Sequence, residues 1–228
     1  MKDIPYSSAL GSLMYAMLFT RPDLCHTVSI LSRYQQNPGQ AHWKQMKYAL
    51  RYIKGTVDYA LCFNPQNLQL QGYTDADWQG DLDERKSTSG YLFTLAGGAI
   101  SWKSKKQESV ALSSMEAEYI AASEAVKECV WLEEFLSSLK IVESASRPVT
   151  VYCDNQAAIN VSKDPKFHSK SKHIEARYHY IRDVINRLKF VQLEYLPSVN
   201  MVADPLTKSL SQEAFCKHVG DMGLRKFD

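Results

Sequence analysis

The hydrophobic pattern of this chain changes period at Pro65, and that change limits the fold more than any other feature. Upstream, apolar residues recur at helical spacing. Trp43, Met46, Leu50 and Ile53 share one face of a segment running from Ala41 to Lys54, with Gly55 as its stop. Ser7–Thr20 reads as an earlier helix, and Pro22 suits the first turn of another reaching about Gln36, before a turn at Asn37-Pro38-Gly39. Downstream, Leu68, Leu70, Gly72 and Thr74 alternate with Gln69, Gln71 and Tyr73 as far as Asp75, the period of a strand. Gly90–Ala96 and Ala99–Lys103 read as two more strands joined at Gly97-Gly98, a hairpin signal. A long helix over Ser113–Leu139, a short apolar strand over Val149–Cys153 and a short helix over Asn155–Val161 follow. Ile174–Leu188 is an amphipathic helix, Lys189–Leu196 a strand, and Val202–Leu210 part of a final helical region. This order predicts an α/β fold: a mixed five-stranded sheet flanked by helices, preceded by a small helical segment. The expected division is 1–65 and 66–228.

With 228 residues, 45% of them hydrophobic, the chain has enough apolar material for one medium domain and an appendage. Its net charge is only +2, but the distribution is uneven. Residues 1–65 carry seven basic against three acidic side chains, residues 66–140 seven against twelve, and residues 141–228 thirteen against ten. An acidic centre between basic flanks suits a cation site ringed by phosphate-contacting surfaces, and ordinary scatter of surface charge is the competing reading. The five cysteines are widely spaced, with no Cys-x-x-Cys and no zinc-type Cys/His cluster, so reduced intracellular thiols are expected. Ser7–Phe19 is apolar enough to suggest a leader, but serines interrupt it and no clean cleavage signature follows. A packed helix is the expectation.

Four acids sit where chemistry gathers. Asp75 closes the first strand, Asp154 closes the short apolar strand before a helix, Glu118 lies on the long helix, and Asp204 precedes Pro205 in a helix-like stretch. Ser113 and Glu116 have capping-box spacing, so Glu116 is expected to fold back onto the helix start. Glu118, roughly 200° further round the helix, instead heads the stripe Ala122, Ala125, Cys129 and Leu132, which faces the core. Three of the acids also have a plainer reading. Asp154 and Asp204 suit helix capping, and Glu118 suits the positive end of a helix dipole. Asp77 and Asp81 read as loop acids. Buried carboxylates need compensating positive charge, and four that converge would make an oxygen-lined site for a hard divalent cation.

Short motifs follow one another along the chain: Gly11-Ser12-Leu13-Met14-Tyr15, Thr20-Arg21-Pro22-Asp23, His42-Trp43-Lys44 and Leu50-Arg51-Tyr52-Ile53-Lys54-Gly55-Thr56. Next come Gly72-Tyr73-Thr74-Asp75-Ala76-Asp77, Lys86-Ser87-Thr88-Ser89-Gly90-Tyr91, Glu116-Ala117-Glu118-Tyr119 and Tyr152-Cys153-Asp154-Asn155-Gln156. Lys172-His173-Ile174, Arg177-Tyr178-His179 and Ala203-Asp204-Pro205-Leu206-Thr207-Lys208 complete the set, which covers about residues 6–210. In this order the motifs resemble the C-terminal part of a copia-type retrotransposon Pol polyprotein, the end of the reverse transcriptase followed by its ribonuclease H domain.

The resemblance implies a ribonuclease H-like fold whose catalytic, metal-binding acids are Asp75, Glu118, Asp154 and Asp204. It implies two Mg²⁺ ions, with Mn²⁺ as a substitute, and cleavage of the RNA strand of an RNA–DNA hybrid. Gln156 is expected near the hybrid's minor groove, where a 2′-hydroxyl separates RNA from DNA. Lys166, Lys170, Lys172 and His173, with Lys163, are expected to contact phosphates, against the plainer reading of a solvated loop. Residues 1–65 would be the tail of the polymerase, whose Tyr-x-Asp-Asp segment is absent here, so polymerisation by this chain alone is not expected. The expected partners are the hybrid and the polymerase part of the same polyprotein, with no membrane. The expected location is intracellular, in a cytoplasmic particle or the nucleus. Cellular ribonucleases H carry a histidine shortly before the last aspartate. Glu194-Tyr195-Leu196-Pro197-Ser198 has none, leaving His173 and His179 as candidates for its part. The alternatives are an inactive binding fragment and another enzyme of the same fold, such as an integrase.

Overall fold

The computed structural model describes residues 4–64, 66, 68–139, 148–163 and 180–227. Three helices open the chain: α1 (Tyr6–Phe19), α2 (Cys25–Ser32) and α3 (Gln40–Gly55). They share a core of Tyr6, Leu10, Leu13, Leu24, Val28, Leu31, Met46 and Ala49. Between α1 and α2 the buried Arg21 pairs with the buried Asp23 at 2.7 Å, and the Tyr52 hydroxyl donates to the same carboxylate at 2.6 Å. Such a pair is tolerated in a core only when both charges are matched. The second helix stops at Ser32, short of the expected Gln36, and the chain turns through residues 33–36.

The strands are β1 (Tyr59–Leu61), β2 (Gln71–Asp77), β3 (Thr88–Leu95), β4 (Gly98–Lys106), β5 (Val149–Cys153), β6 (Val191–Tyr195) and β7 (Leu224–Lys226). Five of them form the expected mixed sheet in the order β4-β3-β2-β5-β6. Hairpin-connected β2, β3 and β4 are antiparallel, whereas β5 runs parallel to both β2 and β6. The parallel pairs need crossovers, and α4 (Ser114–Leu139) lies between β4 and β5 in the chain and α5 (Gln156–Lys163) between β5 and β6.

Alternation along the strands sends residues to two cores. Tyr91, Phe93, Val149, Val151, Val191 and Leu193 pack against the α4 and α5 side, where Ala122, Ala125, Cys129 and Leu132 form the expected stripe. Leu92, Ala99, Tyr73 and Tyr152 face the other way, onto Met201, Leu206, Met222 and Cys25. That second core joins the opening helices to the sheet, and the Trp102 indole N–H donates to the Met17 carbonyl at 3.0 Å across it.

The chain ends differ from expectation. Val202–Leu210 holds a single 3₁₀ turn, Asp204–Leu206, because Pro205 and the buried contacts of its neighbours suit a tight turn better than a helix. The helix lies further on, as α6 (Gln212–Asp221), capped by the Ser211 hydroxyl. β7 then pairs antiparallel with β1; neither of these short strands shows in the period of the sequence. Of the expected helix over 174–188, residues 174–179 lie outside the described residues, and Asp183–Arg187 is a π-helical turn. Among the described residues no helix is long and apolar enough to cross a membrane.

Candidate metal centre

Asp75 lies on β2, in register with Gly90 of β3. β5 runs beside β2 with Cys153 paired to Thr74, so Asp154, the next residue, emerges next to Asp75 at the carboxyl end of the parallel pair. Strand ends of this kind free side chains from the ladder and are where ligands gather in α/β sheets. The carboxylate oxygens of Asp75, Asp154 and Asp204 lie within 4.8 Å of one another. Ligand atoms of Glu118, Cys153 and Asp154 form a second such group. Asp154 belongs to both, so the four acids form one cluster.

Hydrogen bonds and burial in the folded chain decide between the competing readings of these acids. The helix α5 is capped by the Asn155 side chain, which accepts from Ala158 N at 3.0 Å, leaving Asp154 free of that duty. No side-chain cap serves the Asp204 turn. Glu116 does fold back: its carboxylate accepts from Leu112 N at 2.9 Å, and its own N–H donates to Ser113 Oγ at 3.2 Å. Glu118 is buried at 6% exposure and faces the other acids, and its Oε2 has no hydrogen-bond partner. Asp77 is not a loop acid, because β2 continues to it, two residues beyond Asp75 on the same face. Asp81 is one, and it pairs with Lys106 at 3.0 Å and Arg33 at 3.3 Å.

Crowding sets the electrostatics. Burial, more than any neighbour, holds the Asp75 carboxyl above the usual range, against the pull of Lys208 and Thr207. Burial and then Asp75 and Asp154 raise Glu118 well above its ordinary value. Burial and then Asp75 push Asp204 up to about 7. The charge partly offsetting this is Lys208, whose ammonium lies 3.1 Å from Asp204 Oδ1 and 3.3 Å from Asp75 Oδ1. Burial weakens that ammonium, but Asp75 and Asp204 outweigh it and keep Lys208 protonated. The Thr207 hydroxyl donates to Asp75 Oδ2.

Among the described residues, these crowded carboxylates, with Glu118 Oε2 lacking any hydrogen-bond partner and Lys208 beside Asp75 and Asp204, fit a divalent metal ion. The donors are hard oxygens, as Mg²⁺ or Ca²⁺ requires. Cys153 does not alter that character: burial first, then Glu118, raises its thiol pKa, so it stays protonated.

Gln156 opens α5 next to the cluster. It is exposed, and its amide donates to Asn160 Oδ1 at 3.1 Å. Lys166, Lys170, Lys172 and His173 lie outside the described residues, as does His179; Lys163, at the end of α5, is exposed. Thr207, Lys208, Ser198 and Gly90 contribute to the centre without having been singled out from the sequence. Lys208 had a signal in its four-residue spacing from Asp204. Ser198, whose hydroxyl donates to Asp154 Oδ2 at 2.7 Å, had none.

No family model matches the chain. It is 49% identical over 224 residues to the retrovirus-related Pol polyprotein from transposon TNT 1-94 of Nicotiana tabacum, covering 97% of this chain and 17% of that protein. The corresponding polyprotein from transposon RE2 of Arabidopsis thaliana is 40% identical over 222 residues, covering 97% of this chain and 15% of that protein. The chain thus spans about a sixth of the length of these curated relatives. The secreted RxLR effector protein 161 of Plasmopara viticola is 53% identical over 133 residues, 58% of this chain and 94% of that protein. Among solved structures, the foamy viral protease-reverse transcriptase in complex with RNA/DNA hybrid aligns over 91% of this chain and 26% of its own, with TM-score 0.53 and 13% identity, a likeness of fold alone. A ribonuclease H1 isolated from compost aligns over 67% of this chain and 99% of its own, with TM-score 0.45 and 20% identity.

Proposed function

We infer that this chain, which belongs to the retrovirus-related Pol polyproteins of copia-type transposons, is a ribonuclease H that cleaves the RNA strand of RNA–DNA hybrids in a metal-dependent reaction. The observation that carries the reading is the convergence of Asp75, Asp154 and Asp204 within 4.8 Å, with Glu118 joined to them through Asp154. Residues 66–228 are the nuclease unit in this proposal, and residues 1–65 the tail of the polymerase. The site of action is intracellular, with the polymerase part of the polyprotein as partner.

Asp75, Glu118, Asp154 and Asp204 would hold the metal, Mg²⁺ with Mn²⁺ as a substitute. Two divalent ions in such a site supply an activated water and stabilisation of the departing 3′-oxygen. The chain's own residues do the rest. Burial and crowding raise the carboxyl groups of Asp75, Glu118 and Asp204, so holding a cation there would require them to be deprotonated. Thr207, through its hydrogen bond, fixes the plane of the Asp75 carboxylate. Lys208, itself partly exposed, balances the charge of Asp75 and Asp204. The exposed Gln156 amide, beside Asp154, offers a donor and an acceptor to a 2′-hydroxyl. Lys166, Lys170, Lys172 and His173 are assigned to phosphate contacts, which hold a duplex without reading its sequence.

The test uses end-labelled RNA–DNA hybrid, duplex DNA and single-stranded RNA, each with Mg²⁺ and with EDTA. Cutting of the RNA in the hybrid alone, lost on Asp154→Asn while hybrid binding persists, is the expected result. Binding of the hybrid without cutting would instead make the chain an inactive binding module.

A further inference from the structure

The segment from Ser198 to Lys208 supplies one acid of the cluster and touches two others. Asp204 belongs to it, Thr207 donates to Asp75, and Lys208 pairs with Asp75 and Asp204. At its start, Ser198 Oγ donates to Asp154 Oδ2 at 2.7 Å. Ser198 opens a 3₁₀ turn, Ser198–Asn200, closed by Asn200 N to the Pro197 carbonyl at 2.8 Å and Met201 N to the Ser198 carbonyl at 3.0 Å. This turn is latched from outside. The Lys217 ammonium, on α6, donates to the Val199 carbonyl and to Asn200 Oδ1, both at 2.7 Å. Met201 and Val202 follow directly and are buried against the sheet, so the turn is tied on both sides. Asp154, by contrast, lies one residue past the end of β5, where the ladder no longer restrains it.

We propose that Ser198 is a positioning residue for Asp154, and that α6, through Lys217, keeps it in place. With Oδ2 engaged by the hydroxyl, the carboxylate of Asp154 is held in one orientation and keeps its other oxygen for the cation. A hydroxyl suits this task because it donates one hydrogen bond and leaves the carboxylate's full charge for the cation. Groups that orient a metal ligand in this way typically matter for affinity about tenfold or more. The proposal rests on the metal-centre reading above, and the experiment separates the two.

Mn²⁺ binding to the full chain is measured directly, from the free-ion electron paramagnetic resonance signal, alongside melting in EDTA. Ser198→Ala should weaken binding about tenfold, Ser198→Thr should restore it to within about twofold, and Lys217→Met should weaken it by a smaller factor. Metal-free melting temperatures of the three variants should stay together. Wild-type affinity in Ser198→Ala, or a loss that Ser198→Thr does not recover, overturns the proposal. Weak binding by Asp154→Asn alongside an unaffected Ser198→Ala discards the positioning role and leaves the metal centre standing. Wild-type affinity in Asp154→Asn removes both.

Discussion

Asp204 is 5% exposed and shares its pocket with Asp75, and its proton is therefore held late. Burial is the larger cause, Asp75 the next, and Lys208 only partly offsets them, which leaves the pKa about 7 against an ordinary 3.8. A raised native pKa means that the folded chain binds a proton which the unfolded chain has already released. The stability this contributes is complete below the unfolded pKa and is lost as pH rises through the folded one. In EDTA, the wild-type melting temperature should therefore fall relative to that of Asp204→Asn as pH goes from about 5 to about 8. Adding Mg²⁺ should reverse the trend for the wild type, because an ion that binds the folded state stabilises it. Parallel pH curves for the two proteins would show that Asp204 ionises like an exposed aspartate.

Between elements, the decisive contact is the seat of the Asp204–Leu206 turn on β3. It lies over Gly90, the residue in register with Asp75. A methyl group on Gly90 would meet Thr207 Cγ2 at 2.7 Å and Leu206 Cβ at 2.9 Å, neither at the end of a long flexible side chain. Gly90 is thus needed for close approach of the turn that brings Asp204 and Thr207 to Asp75. Gly90→Ala should destabilise the chain by about 1–3 kcal/mol in a urea titration, the usual cost of overpacking. It should also weaken metal binding, because it displaces two contacts to one ligand. Unchanged metal affinity in that variant would show that the turn yields without moving the acids.

Across the whole molecule, the C-terminus fastens the opening helices to the sheet. β7 pairs with β1, Cys62 N donates to the Gly223 carbonyl at 2.9 Å, and Leu224 is buried at 2% exposure. Gly223 has φ +87°, and a Cβ there would lie 2.7 Å from the Gly97 carbonyl oxygen, so this crossing also needs glycine. Leu224→Ala should cost about 2–5 kcal/mol, the range for emptying a leucine site in a core. Unfolding followed by far-ultraviolet circular dichroism and by tryptophan fluorescence should give coincident midpoints that fall together in the variant. Separated midpoints would mean that residues 1–65 fold independently of the sheet.

What the sequence determined by itself was everything with a local cause. The alternation into Asp75, the Glu116 cap and the small-residue stripe below Glu118 follow from period or spacing, and the mixed five-stranded sheet from element order; the hairpin was legible too, but its turn is Ala96-Gly97, both at positive φ, and Gly98 already belongs to β4. The four acids were legible as strand-end and core-facing carboxylates, but Glu118, Asp154 and Asp204 each had a local competitor as a cap or a dipole partner. Only the tertiary structure decided between those readings, because a cap is satisfied within a few residues whereas a shared pocket is made by segments up to 133 residues apart, as Lys208 and Asp75 are. Ser198, Lys217 and Gly90 were illegible for the same reason. Their side chains, or the lack of one, matter through what folding sets opposite them, and no periodicity carries that.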